Sequence, residues 1–462
     1  MRNSDEKDIS REDQANIEIG HTEFRRGVPG FLVAVFLVTI STVPAVQHFE
    51  EVRQHLAGAR ASGIPQCYDI LSRCGEAVRH VIDGDGGAFH RIVAADRMLL
   101  KAMNSYESDL EDSSWLTKLC LPVCQQVLVE RLGVGNEKTY PGRDGWLFYR
   151  QDVEYLTGPG FLEWKWRARR NAAHKEWELP PAPDAVVAIM DFKRQLEKRG
   201  IVLVVAPIPP KTVIHSELFA SRGGVAEATV QNASLKEFVA QLRAGGVEVF
   251  DASDVLLRRK AATGQPQYLA TDTHWLPDAM DAVAGELAEL VSKSCQPAPG
   301  GGGEFNRRSR IVENLGDLAV MLRLSDRQTV FPTERVELQQ VVGTGGRWLA
   351  DQSADILLLG DSFSNIYSLK TMGWGESAGL AEQLSCRLQR PLDRIVRNDE
   401  GSFATREALA RELSSGRDRL QGKKVVIWEF AARELAFGNW KVIKLQLVRE
   451  ADFQRSRRVT GQ

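Results

Sequence analysis

The sequence has almost no net charge: 59 lysines and arginines stand against 61 aspartates and glutamates, leaving −2 over 462 residues. A nucleic-acid-binding chain would usually show a concentrated basic face, so the balance argues against that class of partner. No heptad, solenoid or other repeat is present. Cysteine is scarce, with six in the chain, at 67, 74, 120, 124, 295 and 386. Cys67/Cys74 and Cys120/Cys124 are close pairs that could oxidise outside the cytoplasm, but closeness does not fix connectivity. Cys120-x3-Cys124 has no second pair to complete a zinc site. There is no Gly-x-Ser-x-Gly, which argues against an α/β-hydrolase elbow, and no His-Glu-x-x-His, which argues against that class of metalloprotease. Gly416 to Lys424 has the wrong spacing for a phosphate loop and precedes a strand instead of following one. Asn232-Ala233-Ser234 is a glycosylation sequon by pattern only.

Hydrophobic residues make up 43% and charged residues 26% of the chain, ordinary values for a globular protein. The N-terminus departs from that average. Residues 1–23 are polar and acid-rich, which predicts disorder. Arg25-Arg26 then precede an uncharged run from Gly27 to Val46, long enough to cross a bilayer core as a helix. A buried core helix would have a similar composition. The position near the N-terminus, the all-round apolar character and the flanking arginines favour a membrane span. The arginines place residues 1–26 in the cytoplasm and the remainder outside. Val43-Pro44-Ala45 weakly resembles a signal-peptidase site, leaving cleavage as an alternative; the long preceding tail favours an uncleaved anchor.

Residues 47–135 read as mostly helical, with apolar positions at helical spacing in 88–103 and 115–132. Glycines and a proline around the aromatic cluster at 135–149 predict tight turns and a short strand or hairpin, and a main domain over 136–445 starts there, with a tail over 446–462. Helices are expected at 184–198, 233–243, 251–259 and 278–292, alternating with strands at 201–206, 247–250, 355–359 and 424–430. Residues 297–303 read as a flexible glycine loop. This alternation predicts an α/β fold with a mostly parallel sheet and helices on both faces, preceded by the transmembrane helix and the helical segment. Functional loops should gather at the carboxyl ends of the strands.

At one such end, Asp355 to Leu359 delivers Gly360-Asp361-Ser362-Phe363-Ser364. A serine there can serve as a nucleophile if a base reaches it. The best candidate is upstream, in Thr271-Asp272-Thr273-His274-Trp275: His274 as base, with Asp272 fixing its tautomer. A structural histidine is the competing reading. Asp361 is too close to Ser362 to orient that histidine, and reads instead as a turn stabiliser accepting backbone N–H bonds. The N–H groups around Ser362 are expected oxyanion donors. No further ligands that would make Asp272 and His274 a metal site are identifiable.

Gly360-Asp361-Ser362 at a strand end resembles the SGNH hydrolase superfamily. Asp272-Thr273-His274-Trp275 placed before it resembles the permuted branch, the alginate O-acetyltransferase family of AlgJ/AlgX type. Gly142-Arg143-Asp144-Gly145-Trp146-Leu147-Phe148 resembles that family's opening segment, and Pro207-Ile208-Pro209-Pro210-Lys211 and Trp428-Glu429-Phe430 to Arg433 resemble further segments. The likeness covers residues 100–445 and is closest to the membrane-anchored AlgJ type, since no AlgX-type carbohydrate-binding module is read in the chain. It implies an SGNH hydrolase-like domain, anchored in the inner membrane and facing the periplasm. It implies acetyl transfer to a polysaccharide through acetyl-Ser362, without a cofactor, with the acetyl group relayed by a multipass membrane acyltransferase. Trp275, Tyr367, Asn398, Trp428 and Arg433 are the implied substrate-binding residues, with Trp146 a further sugar-stacking candidate; core packing is the competing reading for each aromatic. Alginate, cellulose or another exopolysaccharide is compatible as acceptor. A carbohydrate acetylesterase of the same fold and a non-catalytic glycan-binding component of a secretion complex remain as alternatives.

Overall fold

The computed structural model describes residues 27–57, 69–84, 87–175, 179–219, 230–294 and 304–447. The expectations for residues 1–23, for the glycine loop at 297–303 and for Cys67 and Cys295 lie outside these residues. The chain divides into two compact units, residues 1–120 and 121–462.

In the first unit, the apolar run forms part of a longer helix, Gly27–Leu56, whose apolar stretch is exposed along its length and is long enough to cross a membrane. Past the apolar stretch the helix becomes polar, and Gln47 and Glu51 are buried. Gln47 accepts a hydrogen bond from the Trp115 N–H (2.9 Å) and donates to Glu51 (2.6 Å). Two further helices, Asp69–Asp83 and Ala88–Ser113, pack together.

The second unit is built on a five-stranded sheet. Among the described residues its strands are, in chain order, β1 (Thr139–Pro141), β2 (Leu147–Tyr149), β3 (Val202–Ile208), β4 (Glu248–Val249), β5 (Asn306–Asn314), β6 (Glu334–Gly343), β7 (Gly346–Arg347), β8 (Ile356–Gly360), β9 (Asp393–Val396) and β10 (Val425–Ala431). The main sheet has the order β4-β3-β10-β8-β9, and every pairing in it is parallel. Both faces are covered, which is why β3, β8 and β10 read as unbroken apolar runs. Alternate side chains serve separate cores. Val204, Ala206, Ile356, Leu358, Val425 and Ile427 face one core, with helices Ala252–Thr263, Pro277–Ser294 and Leu380–Leu388. Leu203, Val205, Leu357, Leu359, Val426 and Trp428 face the other, with helices Ala185–Glu197, Leu235–Ala244 and Ala404–Ser414.

Local signals account for the helix ends. Asp184 accepts from Val187 N and Asp251 from Ser253 N and Asp254 N, so each is an N-cap. Gly264 closes Ala252–Thr263 in the left-handed conformation, at φ +66°. Asn232, the sequon asparagine, is buried and donates to Tyr155 O (2.7 Å) and Pro159 O (3.2 Å), so its side chain is a structural strut.

Three elements outside the sheet position the site. The first is the β1–β2 hairpin, closed at Arg143–Trp146 by two left-handed residues, Asp144 (φ +52°) and Gly145 (φ +77°), as in a type I′ turn. The second is the antiparallel β5–β6–β7 ribbon, inserted between the Asp-Thr-His segment and β8. The third is Lys211. Its buried ammonium donates to Leu147 O (2.7 Å), Ala270 O (2.8 Å) and Asp272 O (2.9 Å), joining the hairpin to the Asp-Thr-His segment. Burial pushes its pKa down to about 8, while Glu334, Asp272, Asp317 and Asp152 pull it up. Replacing Lys211 with methionine removes a bond from three carbonyls, of which Ala270 O keeps the Leu147 N–H, so Lys211→Met is expected to lower stability by about 2–4 kcal/mol, read as a lower urea midpoint at unchanged slope.

Candidate functional site

The carboxyl end of β8 carries Gly360 into Asp361, and Ser362 opens the short helix Ser362–Asn365. Asp361 is buried, and its carboxylate accepts from Phe363 N (2.8 Å) and Ala431 N (2.7 Å). It therefore pins the turn to β10. Ser362 is 9% exposed and meets His274 Nε2 at 2.9 Å from its Oγ.

The Thr271–Trp275 segment is held at the Asn314/Glu334 end of the β5–β6 ribbon. Glu334, at the start of β6, accepts from Ala270 N, Thr271 N (both 2.8 Å) and Thr271 Oγ1 (2.6 Å). An added Cβ on Gly316 would lie 2.2 Å from the Thr271 carbonyl, so only glycine allows the segment after β5 to pass this close. Asp272 then receives four N–H groups. His274 N (3.0 Å) and His274 Nδ1 (2.7 Å) donate to Oδ1, and Asp317 N (3.0 Å) and Trp374 Nε1 (2.9 Å) donate to Oδ2. With Nδ1 carrying the proton, Nε2 is the acceptor that faces Ser362.

The charges follow the contacts. Burial favours protonated Asp272, but the His274 bond and charge, Asp317 N and Trp374 outweigh it and hold its pKa below the usual carboxylate range. Burial disfavours charged His274, but the Asp272 bond and charge and then Asp317 outweigh it, so its pKa is raised; Arg433 works in the opposite direction. Asp317, missed in the sequence, lies 3.9 Å from His274 Nδ1 and accepts from Thr273 N (2.7 Å) and Thr273 Oγ1 (3.1 Å). Burial and then the Asp272 charge push Asp317 up to about 6. About a third of its side chain stays accessible, so water screens part of that effect. Nothing before residue 317 in the sequence pointed to it; an Asn-x-Gly-Asp following an exposed strand carries no catalytic signature.

Asp272, His274 and Asp317 lie close enough together to hold a metal ion. A carboxylate offers about four lone-pair directions, and Asp272 has four donors aimed at them. The donor set therefore fits an imidazole orienter better than a metal ligand.

The N–H groups around Ser362 are fewer as oxyanion donors than the sequence suggested. Phe363 N is committed to Asp361 Oδ1 and Ser364 N to Asp361 O. Among the described residues, the Ser362 N–H carries no hydrogen bond and is the one left to face a developing oxyanion.

Three of the implied sugar-binding residues are corrected. Trp275, Tyr367 and Trp428 are completely buried, with no ring face open to a sugar. Trp275 Nε1 donates to Phe363 O (3.2 Å), and Tyr367 OH donates to Trp275 O (2.6 Å), so both support the turn that carries Ser362. Trp428 points into the opposite core and packs on Phe192, Phe430 and Trp440. Trp146 is partly exposed, with its ring 4.7 Å from that of His215 and Lys211 Nζ 5.0 Å from its centroid. Arg433 is 14% exposed, is paired with Asp152 at 3.1 Å, and lies 5.9 Å from the Phe363 ring centroid. Asn398 is exposed and accepts from Asn365 Nδ2 (2.8 Å). Arg433 and Asn398 are thus the two implied substrate-binding residues that keep an open side.

The family model described as SGNH hydrolase-like domain, acetyltransferase AlgX, matches residues 140–432. The probable alginate O-acetylase AlgJ of Pseudomonas aeruginosa is 28% identical over 153 residues, 33% of this chain and 33% of that protein. That of Pseudomonas syringae pv. tomato is 27% identical over 268 residues, 55% of this chain and 63% of that protein. The chain thus spans less than two thirds of the length of these curated relatives. Among solved structures, the O-acetyltransferase domain of Pseudomonas putida AlgJ is similar at 20% identity and a TM-score of 0.49, over 70% of this chain and 99% of that one. Pseudomonas aeruginosa AlgX is similar at 18% identity and a TM-score of 0.45, over 65% and 66%. With the family match extending over more than half of its length, the chain belongs to the SGNH hydrolase-like, AlgX-type acetyltransferase domain family.

Proposed function

We propose that the protein is an O-acetyltransferase that acetylates hydroxyls of an exopolysaccharide, alginate-like in class, on the periplasmic side of the inner membrane. The observation that carries this reading is the hydrogen-bonded series Asp272–His274–Ser362, at 2.7 and 2.9 Å, in a chain of an acetyltransferase family. The apolar helix Gly27–Leu56 supports a membrane anchor at residues 27–46, with residues 1–26 cytoplasmic. Acetyl-CoA does not reach the far side of that membrane, so a multipass membrane acyltransferase is the proposed source of the acetyl group.

In the first half-reaction, Ser362 Oγ attacks the acetyl carbonyl carbon and its proton passes to His274 Nε2. The bond to the donor oxygen or sulfur breaks, and His274 returns the proton to that leaving group. In the second, a sugar hydroxyl loses its proton to His274 and attacks acetyl-Ser362. The ester bond to Oγ breaks and His274 reprotonates the serine. Asp272 holds the tautomer and stabilises the imidazolium in both halves. Ser362 N serves the oxyanion side, and Asn398 is a substrate-binding residue. Arg433, a cation at the mouth, binds the acceptor.

Ser362→Ala is expected to reduce both aryl-acetate cleavage and polymer acetylation at least on the order of a thousandfold. Polymer acetylation by Ser362→Ala at the wild-type level would assign the protein a binding role instead. Release of free acetate alone, with each candidate glycan present, would make it an esterase. The acid limb of activity gives a second test. His274 accepts a proton only when neutral, and the Asp317 charge raises its pKa, so activity falls as pH drops through that raised value. Asp317→Asn removes the charge and is expected to move the acid limb of kcat/KM to lower pH; a limb that stays put or moves up contradicts the assigned influence of Asp317.

A further inference from the structure

Behind the nucleophile turn lies a second carboxyl group that the acetyl-transfer steps do not use. Glu429 sits near the carboxyl end of β10, is completely enclosed, and faces the turn between β8 and Ser362. Its Oε2 accepts from Asp361 N (3.1 Å) and Ser364 Oγ (2.5 Å), the residues on either side of the Ser362–Phe363 pair. The fit is close: a Cβ on Gly360 would lie 2.3 Å from Ser364 Oγ and 3.0 Å from Glu429 Oε2. With Ala431 N on the Asp361 carboxylate, β10 holds the turn at three points.

We propose that Glu429 is a positioning residue that fixes the aim of Ser362 and works as a neutral carboxylic acid sharing its proton with Asp361. Two observations argue for the neutral form. Glu429 Oε1 is buried without a hydrogen-bond partner among the described residues, a costly position for half of a carboxylate. The Asp361 side chain is also close enough to hydrogen-bond with the acid form of Glu429, and two buried carboxyl groups in contact do not both ionise. The Asp361 carboxylate accepts two backbone N–H groups, from Phe363 and Ala431, whereas Glu429 Oε1 accepts none among the described residues. Burial, followed by the Asp361 charge, acts on Glu429 in the same direction, well above the ordinary carboxyl range.

Glutamine reproduces a neutral acid at this position. Its Oε1 accepts the two bonds from Asp361 N and Ser364 Oγ, and its amide N–H donates to the Asp361 carboxylate. Alanine leaves Asp361 N and Ser364 Oγ without their acceptor and frees the turn. The proposal rests on the reading of Ser362 as nucleophile for its kinetic consequence, and stands independently of it for the protonation state. Glu429→Ala is expected to lower kcat for Ser362-dependent aryl-acetate cleavage by about ten- to a hundredfold, with KM within about twofold, and Glu429→Gln to recover most of that loss. The infrared difference between wild type and Glu429→Gln at neutral pH is expected to contain the carbonyl stretch of a protonated carboxylic acid. No such band, a Gln variant as impaired as Ala, a wild-type kcat in Glu429→Ala, or a loss confined to KM would each overturn the proposal. If wild type shows no Ser362-dependent acetyl chemistry while the band is present, the acetyltransferase reading fails and the neutral Glu429 stands.

Discussion

Burying a carboxylate costs several kcal/mol unless its lone pairs are all occupied, and Asp272 meets that requirement with donors from three parts of the chain. His274 supplies two from two residues away, Asp317 one from the end of the ribbon, and Trp374 one from beyond Ser362. Each donor is thereby placed as firmly as the acid it serves. The imidazole orientation, the approach of the ribbon and the enclosure beneath Trp374 are consequences of one saturated charge. Losing any donor would expose a buried negative charge, which couples the geometry of the base to the packing of segments a hundred residues apart.

Lys211 and Glu334 repeat this logic one layer out. A buried ammonium gathers three carbonyls, and a carboxylate gathers two amides and a hydroxyl, all around residues 270–272. Polar burial is poor evidence of stability in general, because an apolar replacement of the same shape can do as well. Its value here is register. Apolar contacts would let the Asp-Thr-His segment slide, whereas directed N–H and C=O groups allow it a single position relative to the sheet.

How far the sequence revealed this varies with the physics of each element. β3, β8 and β10 were legible because strands buried on both faces must be apolar throughout. The 185–197, 235–244 and 252–263 helices were legible from periodicity and from Asp and Gly at their ends. β9, four residues long, has too little pattern to be read. The β5–β6 ribbon is exposed and charge-rich, as in Asn-Arg-Arg-Ser-Arg, so it lacks the apolar signal of a strand. The Asp272–His274 pair could be proposed from adjacency, but its meeting with Ser362 across 88 residues comes from the fold alone. Trp275, Tyr367 and Trp428 show the reverse: an aromatic beside a catalytic motif has the same letter whether it faces a sugar or a core.

The order β4-β3-β10-β8-β9 has a consequence for biogenesis. The strand synthesised last among these five lies in the middle of the sheet, between β3 and β8. Until it inserts, β3 and β8 have no common neighbour, and the turn carrying Ser362 lacks its anchors at Glu429 and Ala431. A chain whose β10 is not yet in place therefore holds Ser362 on an unfastened loop. High contact order, usually a burden on folding speed, here ties the setting of the Ser362 turn to the arrival of the final strand.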